Sequence, residues 1–154
     1  MRKALLILSV FILAGSMLAA DPIIGAWKLN IAKSKFLPTR PVPKELTEVY
    51  RELPDGQIEL TWKNTQADGS SILQVFAFPA QGGMVKVLKG DTPNSFVQTR
   101  ISEDEWWVTY LLEGKQVMTR HKLISKDRKT LRQTLKGVDD EGKSFELMLV
   151  YDKQ

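Results

Sequence analysis

The chain offers few residues able to do chemistry, and it offers them singly. Of its 154 residues one is a histidine, His121, and none is a cysteine. Thiolate chemistry, disulfides and lipid-modified cysteines are therefore excluded. One imidazole without a companion ligand does not make a zinc site, which wants three or four. Glu48 and Glu52 come nearest to paired carboxylates for acid–base work. They share a strand that reads as surface-alternating, which favours solvation. Arg100 would bind a carboxylate if it faced inward, and the Ser102–Glu105 turn leaves its direction open between two-residue and four-residue forms. There is no nucleophile–base pair, phosphate loop or metal-ligand cluster in the sequence, so it reads as non-enzymatic and without a cofactor.

What remains depends on which side chains share an interior, and so on the elements that would position them. From Lys44 onward apolar and polar residues alternate with a period of two, interrupted every eight to twelve residues by Asp-Gly-type turns. That is the pattern of antiparallel hairpins with one buried face. An entry strand at 24–30 and a short irregular or helical turn at 31–36 precede the stiff connector Pro38-Thr39-Arg40-Pro41-Val42-Pro43. Nine strands follow near 44–53, 57–65, 71–79, 84–89, 95–101, 106–112, 116–125, 130–138 and 144–152. The expected fold is all-β, an up-and-down antiparallel β-barrel of about ten strands. Gly82-Gly83, Gly90 and Pro93 break the alternation and leave register open over 81–105.

Turn chemistry sets register, and register sets the interior. Asp139-Asp140-Glu141-Gly142 pairs Leu135 with Leu147, Gln133 with Leu149 and Leu131 with Tyr151. Ala67-Asp68-Gly69 places Ile58, Leu60, Trp62 and Asn64 on one face with Ile72, Gln74, Phe76 and Phe78. A two-residue turn at Glu113-Gly114 pairs Trp106 with His121 and Tyr110 with Val117, and a three-residue turn at Lys126-Asp127-Arg128 pairs His121 with Gln133. On this count Trp62, Phe76, Trp106, Tyr110, His121 and Gln133 point into the barrel and are the candidate ligand-binding residues. Buried there, His121 would be a hydrogen-bonded core residue, an anchor for a ligand head group, or a haem-iron ligand. The aromatics line a cavity or fill it. Trp107 falls outside, opposite Arg120, as a cation–aromatic pair.

Residues 1–20 read as a secretory signal peptide: basic Arg2 and Lys3, the uncharged run Ala4–Leu13, and small residues before Asp21. Residues 21–154 then form a single domain, periplasmic or secreted. Without Arg2 and Lys3 the 22 basic and 18 acidic residues leave a net charge of only +2. The cations are scattered rather than clustered, which argues against nucleic acid.

Gly25-Ala26-Trp27 at the start of the first mature strand resembles the Gly-x-Trp signature of lipocalins and related calycins. That resemblance implies that 21–154 is a lipocalin-like β-barrel domain whose closed end is plugged by Trp27. The opening Asp21–Asn30 with Ser34-Lys35-Phe36, and the closing Lys129-Thr130-Leu131, Glu141-Gly142-Lys143 and Val150-Tyr151-Asp152-Lys153, also look like a group of uncharacterised exported bacterial proteins. The functional expectation is a monomeric exported binding protein holding a small hydrophobic molecule in its lumen, with no stable membrane insertion once the signal is removed. The alternative is a protein-interaction or inhibitor barrel acting through its surface, and third comes haem binding through His121.

Overall fold

Each stretch of alternating sequence becomes a strand, and the strands close on themselves. A computed structural model describes residues 20–139 and 141–154. The signal-peptide reading, but for Ala20, and Asp140 of the last turn lie outside the described residues. Ten strands occur among those described: β1 (Gly25–Leu29), β2 (Glu45–Glu52), β3 (Gln57–Thr65), β4 (Ser71–Pro79), β5 (Gly82–Lys89), β6 (Ser95–Arg100), β7 (Glu105–Leu112), β8 (Lys115–Ile124), β9 (Thr130–Val138) and β10 (Ser144–Lys153). A single 3-10 turn, Ile31–Lys33, follows β1 and is capped by the Asn30 side chain, which accepts from the Lys33 amide. Consecutive strands pair antiparallel, and β1 joins both β2 and β10. The barrel therefore has no free edge.

One end is closed by the segment that enters β1. Trp27 and Ile23 are fully buried, and the Trp27 indole N–H donates to the Ile23 carbonyl at 2.7 Å. The Lys153 ammonium sits 4.9 Å from the Trp27 ring centroid. Gly25 adopts φ +128°, and a Cβ there would lie 3.0 Å from the Lys153 Cε, so glycine at this position permits that approach. Arg100 also serves this end. Its guanidinium donates to Asp21 and to the Ala80, Ser102 and Glu103 carbonyls, with its centre 5.0 Å from the Trp106 ring centroid. The Ile101 N–H to Glu105 C=O bond closes the turn around three residues, 102–104, neither of the two forms expected, and sets Arg100 opposite the inward Trp106.

Two hairpins have the register that their turns predict: Leu60 faces Phe76 and Trp62 faces Gln74 between β3 and β4, and Leu135 faces Leu147 between β9 and β10. β8 departs from the expectation by one residue. The Glu113-Gly114 turn forms as expected, both residues at positive φ, and pairs Leu112 with Lys115 and Leu111 with Gln116. The ladder then shifts, so that Tyr110 faces Met118 and Trp107 faces His121. The extra residue, Val117, is a bulge, and everything beyond it changes face. The far turn agrees with the shift. Ser125 N–H bonds to the Thr130 carbonyl, Arg128 adopts φ +57°, and Ile124 rather than Leu123 pairs with Leu131. Met118, Arg120, Lys122 and Ile124 thus share the inner parity, while His121 faces outward. This corrects the predicted placement of His121 between Trp106 and Gln133, and of Arg120 opposite Trp107 on the outside.

Candidate functional site

The inward parity of β8 brings two cations into the barrel, and β2 supplies the anion that meets them. In β2 the inner positions are Leu46, Glu48 and Tyr50, all buried. Glu48 is 0% exposed, so the expectation of a solvated carboxylate is corrected. Its strand alternates with Leu46 and Tyr50 as the apolar partners, and Glu48 shares their face.

Around Glu48 the side chains form one network. The Tyr50 hydroxyl donates to Glu48 Oε2 and accepts from Lys122 Nζ at 2.9 Å. Gln133 Nε2 donates to the same carboxylate oxygen at 2.8 Å, and Arg120 Nη1 lies 3.6 Å from Glu48 Oε1. Lys122 Nζ also sits 5.1 Å from the Tyr50 ring centroid, and the Arg120 guanidinium 5.4 Å from that of Tyr110. Burial lowers the Lys122 ammonium to about 8, against the opposing pull of Glu48. Burial also draws Arg120 down, but Tyr110 and Glu48 outweigh it and hold the guanidinium above its ordinary value. Burial first, and the Glu48 charge second, push the Tyr50 and Tyr151 phenols well above theirs. The charges of this cluster do not balance: one carboxylate faces two cations. Arg120 Nε, Glu48 Oε1, Gln133 Oε1 and the Tyr151 hydroxyl have no hydrogen-bond partner in the cluster.

Arg120 and Lys122 form one wall of a cavity of about 150 Å³ in the half of the barrel away from Trp27. Leu60, Phe78, Val85, Phe96 and Val108 give the cavity apolar sides, together with Trp62, Phe76 and Tyr110. Phe96 bridges Phe76 and Tyr110 by edge-to-face contacts, with centroids 5.5 and 4.9 Å away. Gln98, buried on β6, adds a polar group, and Gln74, Thr92 and Asn94 complete the lining from β4 and the β5–β6 loop. A cavity of about 150 Å³ holds a benzene-sized body. The candidate site is thus a largely apolar pocket with a surplus of buried positive charge on one wall.

Of the six residues that the sequence singles out, Trp62, Phe76 and Tyr110 line this cavity. Trp106 is fully buried beneath Arg100, toward the closed end. Gln133 is fully buried and holds Glu48 without lining the cavity. His121 lies on the outer wall, where its Nε2 is 2.8 Å from Glu105 Oε1 and its ring stacks on Trp107 with centroids 4.6 Å apart. The haem reading therefore has no ligand in the lumen from His121. Sequence reasoning missed Glu48, Arg120 and Lys122. The signal for Glu48 was its shared parity with Leu46 and Tyr50.

No family model matches this chain, and no curated protein matches it. Solved structures do resemble it in fold. The wild-type fluorescent protein UnaG is 14% identical with a TM-score of 0.55, over 85% of this chain and 96% of that one. A Schistosoma mansoni fatty acid binding protein in complex with arachidonic acid is 15% identical with a TM-score of 0.56, over 87% of this chain and 97% of its own. Rv2717c from M. tuberculosis is 17% identical with a TM-score of 0.56, over 87% and 94%. These likenesses concern the fold alone, a closed antiparallel barrel.

Proposed function

We propose that this chain is an exported, non-enzymatic binding protein whose lumen holds a small apolar molecule with an acidic end. The observation that carries the reading is the pairing of an apolar pocket of about 150 Å³ with Arg120 and Lys122, whose combined charge exceeds that of Glu48. An unbalanced buried charge is costly, and a ligand carboxylate seated against Arg120 and Lys122 would offset it. The apolar remainder of the ligand then lies among Trp62, Phe76 and Phe96. The fatty acid binding protein of similar fold, solved with arachidonic acid, supports this reading by analogy. The pocket here favours a shorter ligand. Export rests on the basic start and uncharged run of residues 1–20.

Native mass spectrometry of the protein recovered from the exported fraction tests the proposal, with a co-purifying small carboxylic acid as the expected result. A chain found only in the cell interior and free of any bound acid counts against it. A second reading, a barrel that acts through its surface, draws on the exposed Met84, Leu88, Ile101 and Trp107 of the outer wall. It predicts that the lumen takes up no small molecule at all.

A further inference from the structure

Lys122 is unlike the other lysines of the described chain. It is 2% exposed, and it forms part of the cavity wall. Its nitrogen is held at a fixed point by the Tyr50 hydroxyl, whose own proton is committed to Glu48. A primary amine in an apolar pocket, fixed beside a hydroxyl and a carboxylate, is the arrangement that carbonyl condensation requires. We propose that Lys122 is a site of reversible covalent capture, forming an imine with small apolar aldehydes that enter the lumen. This rests on the binding reading above, because it uses the same cavity, and it adds aldehydes to the acids proposed there.

The chemistry balances without any redox partner. The Lys122 lone pair attacks the carbonyl carbon, the C–N bond forms, and the carbonyl oxygen takes up a proton to give a carbinolamine. That hydroxyl then leaves as water, and the product is the protonated or neutral imine. The Tyr50 hydroxyl, in contact with both Lys122 and Glu48, lies where a proton must leave the nitrogen and return to the departing hydroxyl. The Arg120 guanidinium, on the same wall, sets a positive charge near the carbonyl oxygen. The lowered proton affinity of Lys122, to about 8, leaves roughly one chain in ten with a free amine at pH 7. An ordinary lysine is neutral roughly one time in several thousand at that pH.

Benzaldehyde and hexanal are suitable probes, incubated with the full chain at neutral pH and trapped with cyanoborohydride. Intact mass and peptide mapping should then show one adduct, on Lys122, at aldehyde concentrations that leave the exposed lysines unmodified. Lys122→Met and Lys122→Arg should abolish it, and an excess of hexanoate should suppress it at least tenfold in the native sequence. Glu48→Gln should leave the adduct on Lys122 rather than move it to another lysine. Adducts spread over exposed lysines, or no adduct on Lys122, overturn the inference. Calorimetric binding of hexanoate in the same preparation separates the cases. Retained binding means that covalent capture fails alone, and lost binding means that the carrier reading fails with it.

Discussion

Lys122 Nζ lies 2.9 Å from the Tyr50 hydroxyl across the barrel lumen, although the two residues are 72 positions apart in the chain. The bond joins β8 to β2, strands that are far apart around the barrel wall. It places a cation beside the phenol that serves Glu48, and so ties the interior charges into one unit that no single hairpin contains.

That unit makes Glu48 the most sensitive polar position in the barrel. Glu48→Gln removes the charge facing Arg120 and weakens the hydrogen bonds from Tyr50 and Gln133. Two buried cations then lack a counter-charge, and breaking a buried pair in this way costs about 3–5 kcal/mol. Urea denaturation of the variant should show a loss of that order. A loss below about 1 kcal/mol would mean that the lumen is wetter and less coupled than the geometry indicates.

Lys122 sets a pH dependence whose sign follows from its lowered proton affinity. Below about pH 8 the folded and unfolded chains both carry the proton, and the cost of burying the ammonium is fully present. Between about 8 and the ordinary lysine value of 10.5 only the unfolded chain is protonated, so stability rises with pH. Glu48, Tyr50 and Arg120 are the charged or titratable groups facing it. Lys122→Met removes this contribution while keeping a similar volume. The stability difference between the variant and the native sequence should therefore shift by about 2 kcal/mol in the native sequence's favour between about pH 7 and pH 9.5. A constant difference across that range contradicts the assignment.

The outward position of His121 gives a third expectation. His121→Ala loses its bond to Glu105 and its stacking on Trp107, both at a partly exposed site. The cost should be about 1 kcal/mol or less, and affinity for any lumen ligand should not change. A tenfold loss of binding would return His121 to the interior and undo the register of β8.

Register in the last hairpin is checked by charge placement. Leu135 and Leu147 face each other inside the barrel, while Lys136 and Glu146 form an exposed ion pair at 3.1 Å. Leu135→Asp or Leu147→Asp should prevent folding, since a buried unpaired carboxylate costs several kcal/mol. Lys136→Ala should cost no more than about 1 kcal/mol. Thermal melts should keep that ranking.

The hairpins of β3–β4 and β9–β10 were legible from sequence because their turns carry Asp-Gly or Glu-Gly at the closing positions, and the alternation runs unbroken on both sides. β8 was not. Its two possible faces are Val117, Thr119, His121 and Leu123 or Met118, Arg120, Lys122 and Ile124, and the first is the more apolar. The bulge at Val117 selects the second. Room for that bulge comes from Gly137, where a Cβ would meet the Val117 carbonyl at 2.9 Å and the Phe145 ring at 3.0 Å. The aromatic half of the site, Trp62, Phe76 and Tyr110, followed from strands whose inner face was read correctly. The charged half was hidden, because Glu48, Arg120 and Lys122 occupy inward positions at which periodicity alone expects apolar residues. They are intelligible only as mutual partners, brought together by closure of the barrel.

If Arg120 and Lys122 hold an acidic end, the lumen must prefer an acid to a neutral molecule of the same length. Calorimetric titration with hexanoate and with hexanol, on the native sequence and on Arg120→Met, measures this directly. The native protein should bind hexanoate at least tenfold more tightly than hexanol, a difference of about 1.4 kcal/mol. Arg120→Met should erase most of that preference while still binding hexanol. Equal affinities in the native protein, or no uptake of either molecule, would contradict the proposal that Arg120 and Lys122 hold the acidic end of a lumen ligand.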